Sequence, residues 1–197
     1  MRTGRPRSFD RDEALEAAIA LFWRHGYEAT SMAQLKEALG IGAPSIYAAF
    51  GDKRTLFLEA LDRYLHTDGA FAARAVAEGP TARAGVERLL HEAAAAYTRP
   101  DRPPGCMLIT AATNCSPQSA DIQEHLRDVR AAGARALEAK FADAVQAGEL
   151  PGDSDVHGLA SYYEAVIQGM SARARDGATL DDLEGIARTA MRAWPTA

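Results

Sequence analysis

Alanine is the residue type that most constrains how this chain can fold. The sequence contains 42 Ala but only 6 Val and 7 Ile. Alanine loses no side-chain entropy in a helix, whereas β-branched residues favour the pleated surface of a sheet. A parallel sheet would also need near-continuous runs of Val, Ile and Leu, and no segment provides one. These observations exclude the α/β and all-β classes and predict an all-α protein.

Charge is distributed unevenly along the chain. We call residues 1–66 the head and residues 67–197 the body. The head contains nine basic and nine acidic side chains, whereas the body contains 13 basic and 18 acidic ones, so that the formal net charge of the chain is −5. Three of the basic residues, Arg2, Arg5 and Arg7, form an arm that contains no acid. A basic arm and a neutral head on an acidic body are typical of a protein that binds a polyanion at one end only.

The sequence predicts neither export, nor a membrane span, nor a metal site. No apolar segment follows the N-terminal arginines as it would in a secretory signal, and the apolar stretch at residues 14–23 is too short to cross a bilayer. Cys106 and Cys115 lack zinc-type spacing, and the five His show no spacing typical of a metal site. We therefore expect a cytoplasmic protein with no disulfide, no metal and no cofactor.

Caps and glycines predict two helices at the start of the head. Asp10 can accept hydrogen bonds from the first turn of one helix, and Gly26 can end it because glycine adopts the left-handed conformation without a Cβ clash. Ser31 and Gln34 have the spacing of a capping box for a second, short helix, which Gly40 would end.

Further signals extend this helical prediction through the rest of the chain. Pro44 lies in the first turn of a third helix, where its missing N–H costs nothing, and Asp52 would cap a fourth helix that continues to about Glu78. The five helices predicted beyond it span roughly residues 81–99, 106–114, 119–148, 155–176 and 180–194. In total the patterns predict about nine helices.

The second and third helices have the layout of a helix-turn-helix at about residues 31–50. The second helix of such a motif enters the DNA major groove, so we expect Ser45 and Tyr47 to point outward and Ile46 inward. Lys53 follows the next cap, where its ammonium and free N–H groups could bind one phosphate. An ordinary helical hairpin is the alternative, but the spacing of Tyr47, Phe50 and Lys53 favours DNA binding.

The segment from Ala29 to Lys53 resembles the N-terminal domain of the TetR family of transcriptional repressors. The positions that carry this resemblance are Phe22, Gly26, Thr30, Leu39, Gly40, Ile46, Tyr47, Phe50 and Lys53. The resemblance implies a DNA-binding domain at residues 8–68 and a ligand-binding and dimerisation domain at residues 69–197. It also implies a homodimer that binds a pseudo-palindromic, double-stranded operator. The two copies of the motif would enter two successive major grooves of that DNA.

The resemblance and the basic arm together give a set of candidate DNA contacts. They are Arg5, Thr30, Ser31, Gln34, Gly42, Ala43, Pro44, Ser45, Tyr47 and Lys53. Of these, Thr30, Tyr47 and Lys53 would hold phosphates, and residues 42–45 would approach the bases. Residues 42–49 contain no Arg, Lys, Asn or Gln, which are the side chains that make bidentate base contacts. We therefore expect the arm, in a minor groove, and DNA shape to supply much of the specificity.

A second candidate set in the body would line a ligand pocket between helices. It consists of Phe71, Tyr97, Cys106, Met107, Thr110, Asn114, Phe141, Tyr163, Ile167 and Met170. The last two helices are also the expected dimer interface, because the family pairs them across a dimer as a four-helix bundle. Small residues that would permit close approach there are Ala172, Ala174, Ala178, Ala187 and Ala190.

Cys106 has two interpretations. Free cysteines are usually small buried apolar residues, but Cys106 opens a predicted helix, and a helix N-terminus lowers the pKa of a thiol. Some repressors of the family have a reactive cysteine near this point that senses electrophiles or oxidants. The resulting expectation is a repressor that a small-molecule inducer releases from its operator. The alternatives are a DNA-binding regulator without an inducer and a helical enzyme, although the sequence has no recognisable catalytic motif.

Overall fold

The computed structural model describes residues 9–111 and 115–195, and within them every regular element is a helix, which confirms the all-α prediction. The α-helices are α1 Arg11–Ala29, α2 Met32–Leu39, α3 Ala43–Phe50, α4 Lys53–His66, α5 Ala70–Glu78, α6 Ala82–Tyr97, α7 Met107–Thr110, α8 Ala120–Gln146, α9 Val156–Arg175 and α10 Leu180–Met191, with a single 3₁₀ turn at Pro117–Ser119. In this part of the chain, no helix is both long enough and apolar enough to cross a bilayer.

Helix α1 begins and bends where the sequence predicts. The Asp10 carboxylate accepts hydrogen bonds from the N–H groups of Asp12 at 2.9 Å and of Glu13 at 3.2 Å. Gly26 has a φ of +77°, which breaks the helical path as expected. The continuous helix ends at Gly26 as predicted, and one further helical turn up to Ala29 follows this break.

The two short helices of the helix-turn-helix have the predicted caps. The Ser31 hydroxyl accepts a hydrogen bond from the Gln34 N–H, and the Gln34 side chain accepts one from the Ser31 N–H, so both halves of the capping box are present. Gly40 ends α2 in the left-handed region with φ +65°, and Pro44 lies in the first turn of α3. Local sequence signals therefore set this motif.

The fourth predicted helix is two helices, which corrects the expectation of one continuous helix to Glu78. Helix α4 ends at His66, where the Thr67 hydroxyl donates to the Arg63 carbonyl oxygen at 2.7 Å. The Gly69 N–H then donates to the Tyr64 carbonyl oxygen, and a Cβ at Gly69 would lie 2.8 Å from the Tyr64 ring. The chain thus turns closely around the Tyr64 side chain before α5 begins.

One continuous core joins the head to the body. In the head, α1 packs against α2 and α4, and the rings of Phe22, Tyr27 and Phe57 meet at 5.0–6.4 Å. In the body, α5 and α10 pack on α6, and α8 packs along α9. Helix α1 also contacts α7, so the first helix of the head rests directly on the body.

Candidate nucleic-acid interface

Helix α3 presents one face to solvent and one apolar face to the core. Ile46 is fully buried, and Phe50 is buried beside it, whereas Ser45 is exposed and 53% of Tyr47 is exposed. Pro44 is exposed as well, so most of the predicted base-reading surface is accessible. The predicted inward and outward directions of residues 45–47 are confirmed.

The end of α3 is fixed by an arginine that the sequence did not point to. The Arg11 guanidinium lies 4.5 Å from the centre of the Phe50 ring and donates to the Ala49 carbonyl oxygen at 3.3 Å. It also forms a two-point ion pair with Glu59 at 2.6 and 2.8 Å. Arg11 therefore holds α3 against α1 and α4, which keeps the outer face of α3 in a defined orientation.

Gln34 and Ser31 are at the surface, but part of their bonding capacity is already used. The Gln34 Oε1 atom accepts from both the N–H and the hydroxyl of Ser31, at 2.8 and 2.9 Å. A contact from Gln34 to DNA must therefore use its amide N–H groups, unless the cap opens.

Thr30 does not fit the phosphate contact that the resemblance implies for it. The residue is fully buried, and its hydroxyl donates to the Gly26 carbonyl oxygen at 2.7 Å. That bond satisfies the backbone where α1 is broken, so the Thr30 side chain has a structural role. This prediction is corrected.

Lys53 is held against the end of α1. Its Nζ atom lies 4.4 Å from the centre of the Tyr27 ring and 3.4 Å from the Glu28 carbonyl oxygen, to which it donates. Burial lowers the pKa of Lys53, and the nearby Glu28 carboxylate opposes that shift. The ammonium is thus positioned by α1 at the start of α4.

A cluster of charges beside Lys53 connects the head to α8. Arg54 forms an ion pair with Asp121 in the first turn of α8, and the Ser119 hydroxyl donates to the Glu28 carboxylate at 2.6 Å. The bond from Ser119 lowers the pKa of Glu28, and the bond from Arg54 lowers the pKa of Asp121. Sequence reasoning missed these residues; the adjacent Lys53 and Arg54 at a helix start were the only signal.

Two family models match most of the chain. Residues 14–60 match the model of bacterial regulatory proteins of the tetR family, and residues 82–193 match the tetracyclin repressor-like C-terminal domain. The chain belongs to the TetR family. Because the matched relatives are transcriptional regulators, the helical enzyme that the sequence left open is excluded.

Relatives of this TetR-family protein include transcriptional repressors. It is 44% identical to the transcriptional repressor ComR of Escherichia coli K12, over 98% of this chain and 92% of ComR. It is 31% identical to the repressor BdcR of the same organism, over 98% of this chain and 93% of BdcR. Its fold matches a cysteine-substituted variant of the TetR-family regulator CifR complexed with 26-bp operator DNA, with a TM-score of 0.91 at 39% identity, over 98% of this chain and 100% of CifR.

The structure does not bring the predicted ligand residues into one pocket. The rings of Phe71 and Tyr97 lie 6.1 Å apart, and the Cys106 Sγ atom accepts a hydrogen bond from Tyr64 at 3.3 Å. A separate aromatic cluster contains two other members of the set, Phe141 and Tyr163, which pack against Trp194 at 5.6 and 6.0 Å. The set thus lies in two clusters, one of which contains Phe71, Tyr97 and Cys106, and its role in lining a ligand pocket stays a prediction.

The other members of the predicted ligand set lie in packed positions or outside the described residues. Met107 and Met170 are fully buried, Ile167 is half-buried, and the Thr110 hydroxyl accepts a hydrogen bond from Arg175 at 2.9 Å. Asn114, like Arg5 of the predicted DNA contacts, lies outside residues 9–111 and 115–195. Apolar side chains that were candidates for a ligand surface are thus used in the core.

Cys106 is buried, and the structure supports its interpretation as a core residue. Its N–H donates to the Ser171 hydroxyl at 2.9 Å, and Cys106 and Cys115 are both free thiols in the structure. Burial also raises the pKa of Cys115, which disfavours the reactive thiolate.

A polar cleft of about 450 Å³ lies where the head meets the body. Phe71 is the one predicted ligand residue that lines it. Arg102 bridges the two parts there, since it pairs with Glu16 of α1 at 3.4 Å and with Asp68 at 3.2 Å. Arg99 also pairs with Asp68, at 2.8 Å. We call these four charged residues the joint.

The small residues predicted for a dimer seam are mostly used within the protomer. Ala174, Ala187 and Ala190 are buried in the described chain, which corrects their assignment to the seam. The outer face of α9 is instead lined by residues at helical spacing that are exposed or half-buried. They are Tyr162, Ala165, Val166, Gly169 and Ala172.

Proposed function

We propose that this protein is a homodimeric repressor that binds a pseudo-palindromic, double-stranded operator through α3 and is released from it by a small-molecule inducer. The observation that carries the proposal is the exposed Ser45–Tyr47 surface of α3, held on a fully buried Ile46. Repressor relatives at 44% and 31% identity support it. The protein acts in the cytoplasm, where the operator is.

We assign one function to each of the two regions that match the family models. Residues 8–68 form the DNA-binding domain, and residues 69–197 form the ligand-binding and dimerisation domain. Two α3 helices would enter successive major grooves about 34–36 Å apart. In that arrangement Tyr47 and Lys53 contact phosphates, residues 42–45 approach the bases with Ser31 and Gln34, and Arg5 of the arm reaches a minor groove.

The exposed face of α9 is the proposed contact between the two protomers. Tyr162 and Val166 provide apolar area on that face, while Ala165 and Gly169 allow a second helix to approach closely. A two-fold axis would place the same face of each protomer against its copy.

Release requires the body to change the position of the head. An inducer that moves operator occupancy from 99:1 to 1:99 must favour the released state by about 10⁴-fold, or roughly 5.5 kcal/mol. The joint is the route for this coupling, because Arg102 contacts α1 and the turn before α5 at once.

The deciding experiment is footprinting of the DNA upstream of the protein's own gene and of its neighbours with the purified protein. We expect protection of a two-fold symmetric site. Tyr47→Phe removes one exposed hydroxyl and should weaken binding about two- to tenfold. Wild-type binding no tighter than to scrambled DNA would contradict the proposal.

The scattered positions of the predicted ligand residues favour one second candidate, a DNA-binding regulator without a small-molecule inducer. A thermal-shift screen of metabolites separates the two functions. An inducer must change the melting temperature and also release the footprinted DNA. A compound set in which no member does both would favour the second candidate.

A further inference from the structure

We propose that Arg54 is a phosphate-binding residue of the operator surface, and that Asp121 of α8 competes with DNA for it. This inference rests on the proposed binding of operator DNA. It adds a contact that neither the helix-turn-helix pattern nor the resemblance assigned, and it makes that contact depend on the body.

Arg54 is placed where a phosphate would meet it. It is the second residue of α4 and follows Lys53, so the two cations lie in the first turn of one helix. The free N–H groups and the dipole of a helix N-terminus add to the attraction for an anion. The Asp52 cap uses the Thr55 N–H, which fixes the direction in which this first turn points.

The partner of Arg54 can be exchanged. Its Nε atom donates to the Asp121 carboxylate, yet the two side chains remain 51% and 50% exposed. An ion pair that is open to solvent contributes little to folding stability, so a phosphate can displace the carboxylate at small cost. Buried pairs such as those of Asp68 would not exchange as easily, because their charges are shielded from water.

The balance of charge around Tyr27 shows why such an exchange matters. The pKa of Tyr27 is raised, first by burial and then by the carboxylates of Asp121, Asp52 and Glu28, while Arg54 lowers it. Lys53 lies over the Tyr27 ring. Three acids thus face two cations at the edge of the proposed DNA surface. Pairing does not change this count, but an Asp121 carboxylate beside Arg54 both repels an approaching phosphate and competes for the guanidinium, so removing that carboxylate charge favours binding.

The competition couples DNA binding to the body. Asp121 belongs to α8, and Ser119, just before that helix, donates to Glu28 at the end of α1. A change in the body that moves the start of α8 away from Arg54 frees the guanidinium and strengthens DNA binding, whereas one that holds the pair together weakens it. By linkage, bound DNA favours the arrangement in which Asp121 is free of Arg54.

A double-mutant cycle on the full-length protein tests the competition. Asp121→Asn should raise affinity for the footprinted operator about two- to fivefold in low salt, because it frees Arg54. Asp143→Asn is the matched control, since it removes the same charge from an exposed position of the same helix. It should change affinity less than Asp121→Asn does.

The second arm of the cycle shows whether the gain acts through Arg54. Arg54→Gln should weaken binding, and in that background Asp121→Asn should give no more than the Asp143→Asn effect. In the Asp121→Asn background, Arg54→Gln should lower the slope of log affinity against log salt by about 0.9, as the loss of one phosphate contact requires. Equal melting temperatures of all variants would show that folding is unchanged.

The outcomes separate this inference from the proposed function. Operator binding by the wild type, with equal gains from Asp121→Asn and Asp143→Asn, would overturn the role of Arg54 and leave the repressor intact. A gain that persists with Arg54→Gln would do the same. Absence of operator binding by the wild type would overturn both.

Discussion

The head and the body of this protein use their residues in opposite ways. In the head, the polar side chains that cap the starts of helices lie where the sequence predicts, and most of the candidate DNA surface stays open to solvent. In the body, the apolar and aromatic residues that were candidates for a ligand surface are packed into the core. The difference teaches that a surface built from local caps can be predicted from sequence, whereas a pocket built between distant helices cannot.

Adjacent residues of α3 give the largest expected contrast. Ile46→Ala should lower the free energy of unfolding by about 2–5 kcal/mol, because the side chain is fully buried. Tyr47→Ala should change it by less than about 0.5 kcal/mol, since the residue is mostly exposed, yet it should weaken operator binding. Urea unfolding and a binding titration measure both effects. A stability loss for Tyr47→Ala similar to that for Ile46→Ala would show that the outer face of α3 is structural.

A substitution at Gly105 tests how tightly the loop between α6 and α7 packs where the body contacts α1 of the head. It has a φ of +78°, its carbonyl oxygen accepts a hydrogen bond from Trp23 of α1, and a Cβ would lie 2.8 Å from the Ser171 carbonyl oxygen. Gly105→Ala should therefore cost about 2–4 kcal/mol of stability.

Gly148→Ala is the control for Gly105, because its φ is +75° but nothing lies within 4 Å of its Cβ position. It should cost only the left-handed strain, about 1–2 kcal/mol. Equal losses in urea unfolding would mean that the backbone at Ser171 moves to accommodate the added methyl group.

The joint should contribute less than the loop but more than a surface ion pair. Asp68 is only 8% exposed and pairs with both Arg99 and Arg102, so Asp68→Asn should cost about 1–3 kcal/mol. Asp101→Asn removes a pair with the same Arg99 at a side chain that is 62% exposed, and it should cost less than about 0.5 kcal/mol. The midpoints of urea unfolding compare the two variants. Similar losses of stability would show that the ion pairs of the joint contribute no more than ordinary surface pairs.

The smallest expected effect is the pH dependence of one helix cap in the head. The N–H and then the hydroxyl of Thr55 lower the pKa of Asp52 below its usual value. Because the folded-state pKa is the lower one, this stabilisation is complete above the unfolded pKa and is lost as the pH falls through the folded one. Asp52→Ser keeps a capping oxygen that does not titrate, so its stability should fall less between pH 5 and acid pH than that of the wild type. An equal loss of unfolding free energy in the two proteins as the pH falls would contradict this.

Much of the fold was predictable, and the exceptions have a common cause. The caps at Asp10 and Ser31 and the left-handed Gly40 were readable because each acts on residues within four positions of itself. The break between α4 and α5 was not, since it depends on how closely Gly69 approaches the Tyr64 ring. Thr30 was misassigned for a similar reason, because its hydroxyl donates to the Gly26 carbonyl oxygen where the helix is broken.

The candidate site divides in the same way. The sequence pointed to α3 and Lys53, but it could not show that α1 holds the ammonium over Tyr27 or that Arg54 has a carboxylate partner on α8. Arg54 and Asp121 are 67 residues apart along the chain. No periodicity or cap relates side chains at that separation.

By itself the sequence determined that this chain is helical, where most of its helices begin, and which family it belongs to. Alanine content, caps and glycines act through backbone entropy and hydrogen bonds that neighbouring residues complete, so the linear order contains that information. Only the tertiary structure decided which cations face solvent, which aromatics fill the core, and how the head meets the body at Arg102 and Asp121. Those choices follow from the burial of side chains by distant helices, which no local pattern records.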